Sequence, residues 1–291
     1  MDKENKLSGC LIVDKPADYT SRDIVNIIGK KFKTKKVGHT GTLDPMATGV
    51  LVLCLNKATK ISELLTSLDK EYIAEFTFGL LTDTLDNTGL VIKEEKAIIS
   101  KEDIENALRT MIGTYEQEVP IYSAVKVNGK KLYEYARNNE KVELPKHEVD
   151  IKDLELLDYK IDNNKTIIKV RCFVSKGTYI RALGYDIAQK LNTVGVMSSL
   201  RRTRQGKFNL QNSYKLDDIL NDKYSLLDIS EVFDYSKKEM EEETYKKVAN
   251  GAIIDNIYNE DVILFTYNKK EIAIYKRYDK DKNKLKPWKM L

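Results

Sequence analysis

The chain has 291 residues, 42% hydrophobic and 32% charged, with a net charge of +4; this suits one large folded domain, or a large one with a small companion, and excludes a disordered chain. No apolar run approaches the roughly 20 residues that a membrane-crossing helix needs, and the polar start MDKENKLSGC is unlike a signal peptide, so the expected location is the cytoplasm, with no membrane partner. Cys10, Cys54 and Cys172 are odd in number and form no C-x-x-C pair, so neither a disulfide framework nor a thiolate metal site is expected, and all three read as small buried hydrophobes.

The first element is a short buried strand, CLIVDKP, stopped by Pro16. A helix begins near Thr20, with Thr20 or Ser21 as cap, Asp23 in its first turn, and Ile24, Ile27 and Ile28 as its apolar stripe. Its end merges into KKFKTKK, five lysines in seven residues. After a glycine-rich loop, GVLVLCL reads as a second buried strand, and ATKISELLTSLDK as a helix with Ile61, Leu64, Leu65 and Leu68 on one face. In KEYIAEFTFG, Tyr72, Ala74, Phe76 and Phe78 alternate with Ile73, Glu75 and Thr77, the pattern of a half-buried strand. SKEDIENALRTMIG is a helix capped by Ser100 and closed at Gly113.

Strands and helices continue to mix as far as about Asn212, without repeat or linker, which implies one α/β or α+β unit. Within this stretch lies RRTRQGK, Arg201 to Lys207, a second acid-free basic run. Taken singly, each basic run reads as solvated surface; together they tilt toward a polyanionic partner. Past this point the sequence turns acidic and charged, then ends in short apolar runs, of which DVILFTY and EIAIYKRY suit a hairpin. A boundary near Ser230 divides the chain into residues 1–230 and a β-rich remainder, 231–291, of marginal size for folding alone.

The loop VGHTGTLDPMATGVL holds three glycines around a single aspartate, Asp44. It is not a phosphate cradle, since no Gly-Lys-Ser/Thr and no G-x-G-x-x-G is present. It is not a metal site either, because His39 has no second histidine nearby. Asp44 followed by Pro45 is, on its own, what a helix start looks like. That reading leaves the surrounding Gly-His-Thr-Gly and Ala-Thr-Gly without a purpose. Several special backbone positions around one carboxylate point instead to an aspartate held in a fixed pose in a cleft.

GHTGTLDPMATGVL resembles the catalytic-aspartate motif of the TruB family, bacterial tRNA pseudouridine synthases that act on uridine 55 of the T arm. Four further segments resemble the family's other motifs, in the same order: LIVDKPADYTS, DKEYIAEFTFGLLTDTLDNTG, VPIYSAVKVNGKKLYEYAR, and VSKGTYIRALGYDIA with LRRTRQGKF. The resemblance covers about residues 10 to 210, and the tail is similar to the small PUA-type RNA-binding domain of bacterial members. It implies an α+β fold: a mixed, largely antiparallel central sheet flanked by helices, with a small C-terminal β-rich PUA-like domain.

By the same resemblance Asp44 is the essential carboxylate, acting on the ribose as nucleophile at C1′ or base at C2′, and Arg181 is the arginine paired with it. Tyr72 corresponds to the tyrosine that stacks on the flipped uracil, Tyr179 to a second tyrosine near the pair, and Leu200 to an apolar residue against the target base. His39 corresponds to a histidine that fills the space the flipped nucleotide leaves. Lys15 of the Lys-Pro motif is counted with the substrate-binding residues, although a structural role is the plainer one, and Arg201 and Arg202 are expected to contact tRNA phosphates. The resemblance implies no cofactor and no metal, the T-arm stem-loop of tRNA as partner, no required protein partner, and a monomer. Three positions depart from the pattern: Asp18 stands where glycine is usual, Val119 where proline is common, and Val174 where cysteine is frequent.

Two rival readings remain in view. A non-catalytic module that flips and holds the T loop would need the cations and aromatics but not Asp44 with Arg181. A guide-RNA-dependent subunit would be expected to carry longer basic extensions.

Overall fold

The computed structural model describes residues 7–291. Residues 1–6, part of the polar stretch read above as unlike a signal peptide, lie outside the described residues. In chain order the principal elements are β1 (Gly9–Lys15), α1 (Ser21–Lys31), β2 (Val37–His39), β3 (Thr48–Leu55), β4 (Lys70–Phe78), α2 (Lys101–Met111) and β5 (Gly113–Glu118). There follow β6 (Lys146–Asp162), β7 (Lys165–Val174), α3 (Ile180–Lys190) and β8 (Gly195–Gln205). A last group comprises β9 (Ser236–Glu239), α4 (Glu242–Ala249), β10 (Val262–Tyr267), β11 (Lys270–Tyr278) and β12 (Asp281–Met290).

The central sheet has ten strands, ordered Tyr214–Lys215, β1, β3, β8, β4, β7, β6, β5, with β2 on β3 and Phe208–Asn209 on β8. Only the pairs β1 with Tyr214–Lys215 and β3 with β8 are parallel. The sheet is therefore mixed and largely antiparallel, and the fold is α+β as the sequence resemblance implied.

β1 and β3 are near-continuous apolar runs because both of their faces are covered. With a period of two, Leu11, Val13, Leu51 and Leu53 enter one cluster, together with Ile24 and Ile28 of α1, Ile104 and Leu108 of α2, and Leu183 and Ile187 of α3. Cys10, Ile12, Val50, Val52 and Cys54 enter a second cluster on the opposite face. All three cysteines are buried and free. β4 alternates as its sequence predicts, with Tyr72, Ala74, Phe76 and Phe78 buried and the residues between them half-buried. α1 starts after Thr20, which forms a reciprocal capping box with Asp23, and α2 starts after Ser100, whose side chain accepts from the Asp103 N–H.

The last five strands form their own sheet, ordered β9, β10, β11, β12, Ile254–Asp255. β10 and β11 are the expected hairpin, joined by Asn268 (φ 50°) and Lys269 (φ 60°); two successive positive φ values give the turn whose twist matches that of the strands. Leu264 and Ile274 of this sheet lie in the second cluster with Ile12 and Cys54, so it covers the back of the central sheet. Lys289 pairs with Glu63 across the junction at 2.5 Å. Among the described residues no helix is long and apolar enough to cross a membrane.

One local expectation changes, and the helix start set aside at Asp44 is absent. The segment expected as one helix from Ala58 is a 3-10 turn, Asn56–Ile61, followed by a short α-helix, Ser62–Thr66. The hydroxyls of Ser62, Thr66 and Ser67 each bond a carbonyl three or four residues back, which competes with regular helix propagation. Asp44–Pro45 starts no helix; Ala47 N–H bonds the Asp44 carbonyl to close one turn, and β3 begins at Thr48.

Gly49 is where β3 and β8 touch. Its φ is +104°, and a Cβ there would stand 2.2 Å from the Arg202 carbonyl oxygen. Backbone cannot retreat as a flexible side chain can, so Gly49→Ala is expected to destabilise the protein by roughly 3 kcal/mol, strain and overpacking together. Urea midpoints with an unchanged m-value measure this; a shift below about 1 kcal/mol would mean that β3 and β8 separate easily.

Candidate active site

The loop between β2 and β3 carries Asp44, and four buried polar side chains fix it from below. Lys15, at the end of β1, is fully buried, and its ammonium donates to the carbonyls of Pro16 (2.8 Å), Tyr19 (2.6 Å) and Pro45 (3.1 Å). Burial pushes Lys15 down to about 8, against the opposing pull of Asp18 and Asp44. Ser21, at the start of α1, accepts the Leu43 N–H at 2.9 Å. Arg202 and Gln205 on β8 complete the support. Arg202 donates to the carbonyls of Val50 (2.6 Å) and Gly41 (3.0 Å), and Gln205 to the Thr40 hydroxyl (2.7 Å) and carbonyl (3.1 Å). Asp18 has φ +66° and its N–H bonds the Pro45 carbonyl at 2.9 Å. A left-handed turn explains why glycine suits this position, and aspartate is among the few other residues that tolerate it.

The opposite wall is the first turn of α3. Arg181 is 6% exposed. Its Nε meets Asp44 Oδ2 at 3.1 Å and its Nη2 lies 3.5 Å from Asp44 Oδ1, a two-point grip on the carboxylate. Nη1 donates to the Thr84 carbonyl at 2.8 Å, and Nη2 to the Tyr122 carbonyl at 3.1 Å. Asp86 Oδ2 stands 3.7 Å from Nη1. The Asp44 side chain remains one-third exposed while the side chains of Arg181 and Asp86 are each 7% exposed, so the guanidinium is desolvated and the acid keeps an open face.

That face looks into a cleft of about 760 Å³, lined by Asp44, Tyr72, Tyr179, Arg181, Leu200 and Arg202 among others; this falls within the roughly 300–1,000 Å³ of small-ligand clefts. Tyr72 lies at the centre of the sheet on β4, opposite Arg202 of β8. Leu200 of β8 and Tyr179, the residue that precedes α3, complete the apolar lining. Burial pushes the Tyr179 hydroxyl above its ordinary value. Lys146, His147 and Lys176 stand at the cleft as well.

Asp44, Arg181, Tyr72, Tyr179 and Leu200 thus converge. His39 is half-buried on β2 and is not among the residues lining the cleft; burial, then the Arg22 and Arg202 charges, hold its imidazole below the ordinary value and therefore neutral near pH 7. Two expected nucleic-acid contacts need correction. Lys15 is sealed beneath the loop, and Arg202 is 1% exposed with backbone carbonyls as its acceptors, so both brace the site from inside. Arg201 is half-buried and paired with Asp14 at 2.8 Å. Along the rest of that run Arg204 pairs with Glu71 and Lys207 with Asp234. In the other basic run Lys31 pairs with Asp222 at 2.6 Å, but its neighbours differ. Arg22, Lys30, Lys33 and Lys35 line an open groove of about 510 Å³ beside α1, with no acid in its lining.

Sequence reasoning assigned no role to Asp86. It was visible within TDTLDNTG, where the Thr84 and Thr88 hydroxyls and the Thr88 N–H all bond Asp86 Oδ1 at 2.6–3.0 Å. Of the departures, Val119 uses an N–H that proline lacks, bonding the Pro145 carbonyl at 3.0 Å, and Val174 is simply buried. Among the described residues no three His, Cys, Asp or Glu side chains gather in a way that could hold a metal ion.

Asp86→Asn removes one of the two negative partners of Arg181. The guanidinium then loses its fixed pose, and the rate of any reaction at Asp44 is expected to fall by roughly 10- to 100-fold without loss of the folded state. Single-turnover kinetics beside a thermal melt measures this, and an unchanged rate would mean that Asp44 and the two carbonyls hold Arg181 by themselves.

The description "TruB family pseudouridylate synthase (N terminal domain)" belongs to the family model that matches residues 29–180, and "tRNA pseudouridylate synthase B C-terminal domain" to one that matches residues 181–233. A tRNA pseudouridine synthase B of Caldanaerobacter subterraneus subsp. tengcongensis is 43% identical over 87% of this chain and 88% of its own length. That of Bacillus anthracis is 37% identical over 98% and 97%. Among solved structures, the chain in a Cbf5-Nop10-Gar1 complex superposes with a TM-score of 0.69 at 24% identity, covering 92% of this chain and 78% of that one. An H/ACA RNP bound to a substrate RNA containing 2′-deoxyuridine gives 0.69 at 22% identity, over 97% and 84%. At such identities the likeness is one of fold.

Proposed function

Since this chain belongs to the TruB family of pseudouridylate synthases, we propose that it isomerises uridine 55 in the T loop of tRNA to pseudouridine. The observation that carries the reading is the Asp44–Arg181 pair, 3.1 Å apart, with the carboxylate open to a nucleotide-sized cleft. The C1′–N1 glycosidic bond breaks, the uracil turns, and a C1′–C5 bond forms; the proton lost from C5 leaves for solvent as N1 gains one. Nothing is oxidised. Asp44 acts on the ribose, as nucleophile at C1′ or base at C2′, and in either role the Arg181 guanidinium fixes the direction of its carboxylate.

A loop uridine must leave its stack before it can reach Asp44, which costs a few kcal/mol. Tyr72 supplies a face for the displaced base and Leu200 an apolar contact, while Tyr179 borders the reacting sugar; His39, uncharged, suits a stacking role where the base has left. Residues 1–230 form the synthase domain and residues 231–291 a PUA-like RNA-binding domain. The tRNA backbone lies along the cationic groove of Arg22, Lys30, Lys33 and Lys35, which has no acid in its lining among the described residues and so suits phosphates better than the ion-paired Arg201 does.

The decisive experiment offers T-arm stem-loops tritiated at C5 of the position-55 uridine, or of another loop uridine. Release of label from position 55 alone is expected. Binding without release would favour a module that only flips and holds the loop, and release from other positions would remove the specificity. Separately, Lys33→Gln with Lys35→Gln should weaken tRNA binding and lower the slope of log affinity against log salt by roughly 1 for each phosphate no longer neutralised. An unchanged slope would take the backbone elsewhere on the surface.

A further inference from the structure

β5, the edge strand of the central sheet, grips α3 at two points through a buried and a half-buried polar side chain that the chemistry above does not use. Gln117 is 1% exposed. Its Oε1 accepts the Tyr179 N–H at 2.8 Å, and its Nε2 donates to the Tyr179 carbonyl at 3.2 Å and to the Tyr115 hydroxyl at 2.8 Å. The Tyr115 hydroxyl in turn donates to Asp186 Oδ2 at 2.8 Å. Every donor in this chain has its acceptor and the direction is consistent throughout. One end holds the residue that precedes α3 and the other holds the second turn of the same helix.

The position of the grip matters. Tyr179 has no side-chain cap at the start of α3; its carbonyl receives the Leu183 N–H that opens the helix, and its own N–H is satisfied by Gln117. Arg181 lies two residues further on. Any rotation or slip of this first turn would carry the Tyr179 ring and the guanidinium together, away from an Asp44 that belongs to a separately braced loop. An apolar residue of equal size would fill the space at position 117 but leave the Tyr179 N–H without this acceptor. Networks of this kind specify one geometry more than they add stability.

We propose that Gln117, with Tyr115 and Asp186, is a positioning device that sets the first turn of α3 so that Arg181 and Tyr179 meet Asp44 in reacting geometry. The proposal rests on the pseudouridine synthase reading of the cleft for its consequence in rate, but not for its consequence in structure. Gln117→Met keeps the length of the side chain and removes all three of its hydrogen bonds. Single-turnover tritium release at saturating stem-loop is expected to fall roughly 10- to 100-fold, the penalty of a misplaced group, while the stem-loop Kd stays close to wild type and the melting temperature falls by only a few degrees, the cost of the unpaired Tyr179 N–H. In the free protein, the Arg181 Nε–H observed by NMR should exchange with solvent several times faster.

Tyr115→Phe, which removes one hydroxyl, is the second variant should Gln117→Met fail to fold; it should move both readouts in the same direction by less. Unchanged release with unchanged Nε–H exchange would overturn the proposal. So would losses of rate, affinity and melting temperature in common proportion, which would mark a merely structural role. If the wild type releases no tritium, the functional reading falls, and the Arg181 exchange rate still decides whether Gln117 positions it.

Discussion

Arg181 is a desolvated full charge, and its five N–H donors must be satisfied without bulk water. Backbone carbonyls of Thr84 and Tyr122 accept two of its hydrogen bonds, Asp86 adds charge at 3.7 Å, and Asp44 takes the remaining edge. A desolvated charge that loses a partner is compensated less well, so each of these contacts holds the guanidinium in place. The guanidinium therefore cannot relax away from Asp44, and Asp44 cannot turn away from the cleft.

The architecture follows from having to bring two walls to that contact. One wall is an irregular loop, which by itself would hold no fixed shape. Lys15, Ser21, Arg202 and Gln205 give it one, reaching from β1, α1 and β8 to its backbone. These are costly groups to bury, and they are compensated by the loop's carbonyls and amides together with carbonyls of Pro16, Tyr19, Val50 and Leu65 beside it. The other wall is the start of α3, held by β5 through Gln117 and Tyr115. Tyr72 lies between them on β4, near the middle of the sheet, where neighbours on both sides leave it little freedom.

Much of this was legible in the sequence, for identifiable reasons. β3 and β4 announce themselves by a continuous apolar run and a strict alternation, and α1 and α2 by their caps. The loop around Asp44 was conspicuous because glycines without a phosphate-binding spacing require another explanation. Arg181 was not legible from pattern, since an arginine in a helical stretch reads as exposed; only the family resemblance assigned it. Arg202 misled in the opposite direction. Its neighbours in RRTRQGK suggest a cationic surface, but the alternation of β8 turns Arg202 inward and Arg201 outward, and backbone carbonyls rather than acids receive the buried charge. Asp86 and Gln117 escaped notice because their partners are 95 and 62 positions away in the chain, Arg181 and Tyr179 respectively, and no local spacing records an interaction of that range.

The central claim is that the exposed face of Asp44, and not the cleft in general, does the chemistry. Asp44→Asn changes one oxygen to an amide and leaves the volume of the site intact. Single-turnover release of tritium from the position-55 uridine of a T-arm stem-loop, measured beside the Kd of the same RNA, tests the claim most directly. The account predicts release at the uncatalysed background with affinity little altered. Substantial residual release would contradict it.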